Sequence, residues 1–236
     1  MPLALFDLDN TLIAGDSDYE WGRFLVSIGK VDADLYQRTN EVFYRDYQRG
    51  QLDIQAYLRF ALAPLAAMQP SELAAIHQQF MADIIRPLWL SKAEALIAQH
   101  REQGDQLVII TATNRFVVEP ICAALGVSDI IATEPEILNG RYTGAVVGEP
   151  SFKEGKVIRL QQWLAERGFG AQPGADGKTG ALIGEGLEGS FFYSDSNNDL
   201  PLLMVVDNPV AVDPDDELRR EAEARGWPVI SLREIV

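Results

Sequence analysis

Three short apolar runs punctuate the chain, and each ends abruptly in a polar segment. Leu3–Phe6 precedes Asp-Leu-Asp-Asn-Thr, Leu107–Ile110 precedes Thr-Ala-Thr-Asn114, and Phe191–Tyr193 precedes Ser-Asp-Ser-Asn-Asn-Asp199. Apolar runs of this length without polar alternation suit strands buried on both faces, the condition of a parallel sheet. Between them the period becomes helical, and alternating strands and helices imply an α/β fold, a doubly wound parallel sheet with right-handed crossovers. Ligands of such sheets sit beyond the carboxyl ends of the strands. The three polar stops are therefore expected side by side at one mouth.

The stretch after the first run breaks the alternation. Trp21, Phe24, Leu25 and Ile28 fall at helical spacing, Ser17 with Glu20 reads as a capping box, and Gly29 stops the helix. A second helix is expected over Ala33–Arg49. A third follows Asp53, with Ile54, Tyr57, Leu58, Ala61 and Leu62 on one face. A fourth follows Pro70-Ser71, with Leu73, Ile76, Phe80 and Ile84. Four helices in succession predict a helical-bundle cap, residues 15–87, inserted after the first strand of a core formed by 1–14 and 88–236. Further on, the pattern predicts a helix over Ser91–Gln103, a short strand near Ile130 and a hairpin over Glu136–Gly148 turning at Asn139-Gly140. A helix over Glu154–Arg167 follows, then late strands at Val210–Val212 and Val229–Ile230 around a helix at Asp215–Arg225. Gly168–Gly189 holds eight glycines and reads as a mobile loop.

With 236 residues, 47% of them apolar, the chain can bury a large core. Its 35 acidic against 20 basic residues give a net charge of −15. That balance disfavours nucleic acid and anionic membranes as partners. It does not exclude a small anionic substrate, because a metal and a few donors can reverse the field inside one cleft. The single cysteine, Cys122, rules out an intramolecular disulfide framework and reads as a buried thiol. Residues after Met1-Pro2 show no basic leader or long apolar segment, so a cytoplasmic enzyme is expected.

The chemistry concentrates at the polar stops. Asp7 and Asp9 stand two positions apart at a strand end, where one carboxylate can attack or bind metal while the other moves a proton. Asp-x-Asp alone also occurs as a metal motif in sugar-nucleotide transferases and as a plain turn. Thr111 adds a hydroxyl, with the neighbouring Ala112 backbone, for phosphate oxygens. Lys156 adds an ammonium at a helix start, and Asp195 and Asp199 add carboxylates suited to Mg²⁺. Phosphoryl transfer asks mainly for positioning and charge stabilisation, and these are its parts. Lys153 competes with Lys156, which is favoured because it leads into the Val157-Ile158-Leu160 face. His77 and His100 fall on polar helix faces and are read as surface residues.

Taken in order, Asp7-Leu-Asp-Asn-Thr-Leu12, Thr111, Lys156 and Ser194-Asp-Ser-Asn-Asn-Asp199 resemble the four motifs of the haloacid dehalogenase superfamily. The insertion after the first motif and the Asp-x-x-x-Asp form are similar to its phosphoserine phosphatase-like branch. The resemblance implies a phosphatase with Asp7 as nucleophile, Asp9 as general acid and base, and Thr111, Ala112 and Lys156 on the phosphate. It also implies Mg²⁺ held by Asp7, the Asp9 carbonyl and Asp195, with Asn198 and Asp199 in support. Dehalogenases of the same fold lack the second aspartate, so Asp9 speaks against one. A mutase fits the long helical cap less well, and a binding module has no use for all four chemical positions.

The resemblance also bears on substrate. In phosphoserine-specific members a carboxylate soon after the first motif grips the amine, and Asp16 corresponds to it, with Asp18 close by; a plain helix cap is the other reading of Asp16. A cap arginine that would clamp a carboxylate is expected where this chain has Ala61, and Arg59 lies two positions earlier, nearly opposite on a helix. The departure speaks against phosphoserine and leaves room for an amine-bearing phosphate without a carboxylate; the expected substrate is a small phosphorylated metabolite bearing an amine or imidazole, such as histidinol phosphate or phosphoserine.

Overall fold

The computed structural model describes residues 2–168 and 186–233, so most of the glycine-rich segment lies outside the described residues. Seven strands form one sheet in the order β4-β3-β2-β1-β5-β6-β7. They are β1 (Leu3–Phe6), β2 (Gln106–Asn114), β3 (Asp129–Leu138), β4 (Arg141–Val147), β5 (Phe191–Ser194), β6 (Asn208–Val212) and β7 (Val229–Ile230). All neighbours pair in parallel except β3 with β4, the hairpin that turns at Asn139-Gly140. The strand expected near Ile130 is longer than its apolar signal, because it runs straight into the first arm of the hairpin, through half-buried residues 134–136 to exposed Ile137 and Leu138. The second strand likewise continues through the Thr111–Asn114 segment, with a register shift against β3 after Ile110.

Successive residues of β1 point to opposite faces of the sheet, as the pleat requires. Ala4 and Phe6 enter one apolar cluster and Leu3 and Leu5 the other. The first cluster takes Ala93 and Ile97 of α5 (Ser91–Gln103) and Val117, Val118 and Ile121 of α6 (Arg115–Ala124). The second takes Leu160 and Leu164 of α7 (Glu154–Glu166), Leu202 of α8 (Leu200–Leu203) and Leu218 of α9 (Asp216–Arg225). Helices thus cover both faces.

Between β1 and α5 come α1 (Ser17–Ser27), α2 (Ala33–Gln48), α3 (Ile54–Ala67) and α4 (Pro70–Phe80), then one π turn and one 3₁₀ turn to Leu88. The chain leaves and re-enters the core at one point, where the Ala14 N–H donates to the Leu88 carbonyl at 2.8 Å. α1 and α4 do not stand apart from the core. Trp21, Phe24, Leu73 and Phe80 belong to the same apolar cluster as α6.

Three local expectations need correction. The N-cap of α1 is Asp16, whose carboxylate accepts from the Asp18 and Tyr19 N–H groups. Ser17 is already inside the helix, because the preceding aspartate is the better-placed acceptor. His77 and His100 are buried, at 5% and 2% exposure. His77 Nε2 meets the Val117 carbonyl at 2.9 Å under Trp21, Phe80 and Phe116. His100 links the Asp105 carboxylate at 2.7 Å to the Tyr193 hydroxyl at 2.8 Å. Helical spacing places a residue on a face, and in both cases the polar face is covered by another element through specific hydrogen bonds. Cys122 is buried as expected, and burial raises its thiol pKa.

Candidate active site

β1 ends between β2 and β5, and the next residue is pinned there: the Asp7 N–H donates to the Tyr193 carbonyl at 2.9 Å. Asp7 is 4% exposed and Asp9 8%, so both carboxylates lie under the surface at the sheet's carboxyl edge. The chain then turns sharply. Asn10 adopts a left-handed conformation at φ 58°, which asparagine tolerates better than most residues, and its N–H reaches the Gly15 carbonyl at 2.9 Å.

Lys156 enters from α7. Its Nζ donates to Asp7 Oδ1 and to Asp199 Oδ2, each at 2.7 Å. The turn that delivers it leaves no room beside Gly155, where a Cβ would stand 2.0 Å from the Pro150 carbonyl oxygen. Asp199 is held in turn by the Ser194 hydroxyl at 2.7 Å. Lys153 points elsewhere, to the Gly50 carbonyl at 2.7 Å, so Lys156 is the lysine at the aspartates.

Asp9 faces away from that ion pair. One of its oxygens accepts from the Ser17 N–H at 2.6 Å; the other accepts from the Thr113 hydroxyl at 2.8 Å and, more distantly, the Thr111 hydroxyl at 3.5 Å. Asp195 Oδ1 accepts from the Thr11 hydroxyl at 2.9 Å, and the same hydroxyl accepts from the Asp195 N–H at 3.1 Å. Asp195 is not a helix cap; Ser196 caps the short turn at Asn197–Asp199. Asn198 donates to the Tyr47 carbonyl at 3.2 Å, and its buried Oδ1 has no partner among the described residues.

Electrostatics follow from crowding carboxylates in a dry place. Burial raises the Asp7 pKa to about 7, against the lowering by Lys156 and with further raising by Asp199 and Asp9. Asp195 is pushed well above the usual carboxylate range, by burial first and then by the charge of Asp7. Burial also raises Asp9, opposed by the hydrogen bonds from Ser17 and Thr113. Burial would lower Lys156, yet Asp199 and Asp7 outweigh it and hold the ammonium charged.

Of these four carboxylates Lys156 pairs with two, Asp7 and Asp199, and Asp195 has no cationic side chain within ion-pair distance among the described residues. No three His, Cys, Asp or Glu side chains of the described residues converge on a single metal point. Mg²⁺ does not require that: one or two carboxylates, completed by phosphate and water, are its usual protein share. An all-oxygen donor set on adjacent strands with excess negative charge fits this ion.

Above Asp7 and Asp9 lies a cleft of about 550 Å³, counted to its open mouth. Thr111, Ala112 and Thr113 form its floor. Asp16, Asp18 and four tyrosines, 19, 44, 47 and 57, stand on its walls, and neither Arg nor Lys lines it among the described residues. Asp18 is 7% exposed, and burial raises its pKa to about 7, with the Tyr57 hydroxyl opposing. Asn114 donates to Asp18 Oδ1 at 3.2 Å. Arg59 is exposed and takes no part.

The structure therefore brings together every site residue expected from the sequence, including Asn198 and Asp199 behind the carboxylates. It adds Thr11, Ser17, Thr113, Asn114 and Ser194, which hold the aspartates, and the tyrosines of α1, α2 and α3. The polar stops contained the first group. The sequence put Tyr57 on an apolar helix face but gave Tyr19, Tyr44 and Tyr47 no role at the site.

Comparison with known proteins gives the family and the fold. The family model for haloacid dehalogenase-like hydrolases matches residues 4–204. A histidinol-phosphatase of Neisseria meningitidis serogroup C (strain 8013) is 49% identical over 232 residues, covering 98% of this chain and 99% of that one. A solved structure of a protein with unknown function from Bordetella pertussis Tohama I is 45% identical with a TM-score of 0.86, covering 98% and 99% of the two chains. A substrate-bound phosphoserine phosphatase complex, at 17% identity and TM-score 0.67 over 98% of this chain and 93% of that one, shares the fold.

Proposed function

Since the chain belongs to the haloacid dehalogenase-like hydrolase family and is a phosphatase, we propose that it hydrolyses a small phosphomonoester bearing an amine or imidazole, histidinol phosphate foremost, through an aspartyl-phosphate on Asp7. The observation that carries the substrate reading is the cleft wall: Asp16, Asp18 and tyrosines, without an Arg or Lys among the described residues. A cationic group gains a charge-assisted hydrogen bond there, whereas a substrate carboxylate finds no partner and is repelled. The name of the Neisseria relative points the same way.

An Asp7 carboxylate oxygen attacks phosphorus, forming the acyl-phosphate bond as the ester P–O bond breaks. Asp9, protonated at that moment, gives its proton to the departing alkoxide. Its raised pKa suits this, and its hydrogen bonds to Ser17 and Thr113 fix the carboxyl in place. In the second half Asp9 takes a proton from water as the water oxygen attacks phosphorus, which releases inorganic phosphate and restores the Asp7 carboxylate. Lys156 lies against Asp7 where phosphoryl charge develops. Thr111 and the Ala112 backbone provide the facing donors. Mg²⁺, held by Asp7, Asp195 and the Asp9 carbonyl, would supply positive charge for the phosphoryl oxygens.

We assign residues 1–14 and 88–236 to the catalytic core and 15–87 to the cap. The bond from Ala14 to the Leu88 carbonyl, where the insertion begins and ends, supports this division. The test is a phosphate-release screen with Mg²⁺ over histidinol phosphate, phosphoserine, phosphoethanolamine and sugar phosphates. We expect kcat/KM for histidinol phosphate to exceed that for phosphoserine by ~10²-fold, since a carboxylate set against like charge costs several kcal/mol. A preference for phosphoserine or a sugar phosphate would overturn the substrate reading.

A further inference from the structure

Two donors from the core reach across to the end of α2. Lys153 Nζ donates to the Gly50 carbonyl at 2.7 Å, and Asn198 Nδ2 donates to the Tyr47 carbonyl at 3.2 Å. Both acceptors belong to the carboxyl end of α2 and the turn after it, where a cation is favoured, and the Tyr47 carbonyl also accepts from the Gly50 N–H at 2.9 Å. The end of α2 is also cleft wall. Phe43, Tyr44 and Tyr47 lie on it, Leu52 follows in the connection and Ile54 opens α3.

Lys153 is unusual in its own backbone. It has φ 52° and ψ −122°, a left-handed conformation that a lysine rarely adopts, at the N-cap of α7. Surroundings must impose such a conformation, and it recurs where a fold serves a site. Two residues on, Gly155 fits only because it lacks a Cβ, and the next residue is Lys156 on Asp7. Phe152, just before, lines the cleft with its ring centroid 6.2 Å from that of Tyr47. No carboxylate lies within ion-pair distance of Lys153 among the described residues; its ammonium is held by the hydrogen bond to Gly50 and lies 5.4 Å from the centroid of the Phe152 ring.

We propose that Lys153 is a positioning residue that clamps the carboxyl end of α2 over the nucleophile by its bond to the Gly50 carbonyl. The turn that sets Lys156 on Asp7 thereby also sets the height of the aromatic wall. This rests on the reading of Asp7 as nucleophile and of the cleft as the substrate site. It assigns the two lysines separate tasks: Lys156 faces the chemistry, and Lys153 faces the cap. A substrate that uses the wall depends on the clamp, and one that needs only the phosphate floor does not.

The test is Lys153→Met, which keeps the aliphatic stem beside Phe152 and removes the ammonium, with Lys153→Arg as the conservative variant. KM for histidinol phosphate should rise about tenfold with kcat changed less than threefold, the pattern of lost binding and retained chemistry. Lys153→Arg should recover most of that rise. Parameters for p-nitrophenyl phosphate should stay within threefold of the parent. Amide hydrogen exchange in the unliganded protein should quicken over residues 47–54 in Lys153→Met and stay unchanged over β1 and β5. A kcat loss above a hundredfold on p-nitrophenyl phosphate would make Lys153 a phosphate ligand and overturn the proposal. Unchanged exchange over 47–54 would overturn it too. If the parent hydrolyses neither compound, the functional reading fails by itself, and the exchange comparison still decides on the clamp.

Discussion

Lys156 and Asp7 form a buried ion pair at 2.7 Å, with the ammonium 149 positions along the chain from the carboxylate it neutralises. The pair is closed on its far side by Asp199, so a single ammonium answers two carboxylates. Both partners are nearly inaccessible, and neither charge is tolerable there alone.

Lys156→Met should therefore harm both folding and chemistry. Breaking a buried pair from one side costs about 3–5 kcal/mol, and denaturant titration of the metal-free protein should show a loss of that order. The loss should be smaller at pH 5 than at pH 8, because Asp7, already raised to about 7 by burial, can then be relieved by protonation. Phosphate release should fall by ~10²-fold or more, the scale for losing an electrostatic stabiliser. A variant with parental stability and rate would remove Lys156 from the site.

The raised carboxyl groups set the sign of the pH dependence of stability. Asp7 and Asp18 are both raised to about 7 from an ordinary value near 4. The folded state then holds more protons than the unfolded state between those values. Their contribution to stability is complete below about pH 4 and is lost as pH rises through 7. Metal-free protein should thus lose stability across that window, measured as a falling Tm. Mg²⁺ competes with these protons, so the rise in Tm on adding it should be larger at pH 8 than at pH 5. Equal rises at both pH values would argue against a carboxylate-bound ion.

Asp7 and Asp9 should separate in covalent trapping. Asp7→Asn should abolish turnover and leave no phosphoenzyme in a rapid acid quench. Asp9→Asn should slow histidinol phosphate by ~10²-fold or more and slow p-nitrophenyl phosphate less, since its leaving group hardly needs a proton. Thr113→Val, which removes the 2.8 Å bond to Asp9, should follow Asp9→Asn in pattern with a smaller loss. Equal losses on both substrates would deny Asp9 its proton-transfer role.

Much of this site was legible because strand ends are punctuated in sequence. The runs before Asp7, Thr111 and Ser194 are unbroken by polar residues, and the chemistry begins at the next residue, still buried. What was hidden depends on distant partners. Asp9 is gripped by Thr113 from a strand 104 positions away, and Asp18 by Asn114, 96 positions away. Spacing put His100 on a polar face, but the Asp105–His100–Tyr193 chain exists only once α5 lies on β5. The Ser17–Glu20 pattern suggested the wrong cap by one residue, because Asp16 competes locally for the same N–H groups. The tyrosines of α2 were legible only as a face. Tyr44 and Tyr47 fall at helical spacing with Tyr36 and Phe43, but spacing alone does not tell a cleft wall from a core face.

The last prediction divides Asp16 from Asp18. One Asp16 oxygen accepts two backbone N–H groups, at 3.1 and 2.8 Å, and so closes the start of α1. Asp16→Ala should cost ~1 kcal/mol in stability, the usual worth of an N-cap. Its effect on binding should be modest, because that carboxylate's hydrogen bonding is already directed at the helix. Asp18 lies two residues on, between Asn114 and Tyr57. Asp18→Asn keeps shape and removes charge, so KM for histidinol phosphate should rise tenfold or more while p-nitrophenyl phosphate is spared, as expected when binding and not chemistry is lost. The parent's KM for histidinol phosphate should fall between pH 6 and pH 7.5 as Asp18 ionises, and this fall should flatten in Asp18→Asn. Steady-state kinetics on the two variants settle the matter. If Asp16→Ala raises KM and Asp18→Asn does not, the amine is read at the helix cap, and Asp18 serves only to tie α1 to the phosphate floor through Asn114.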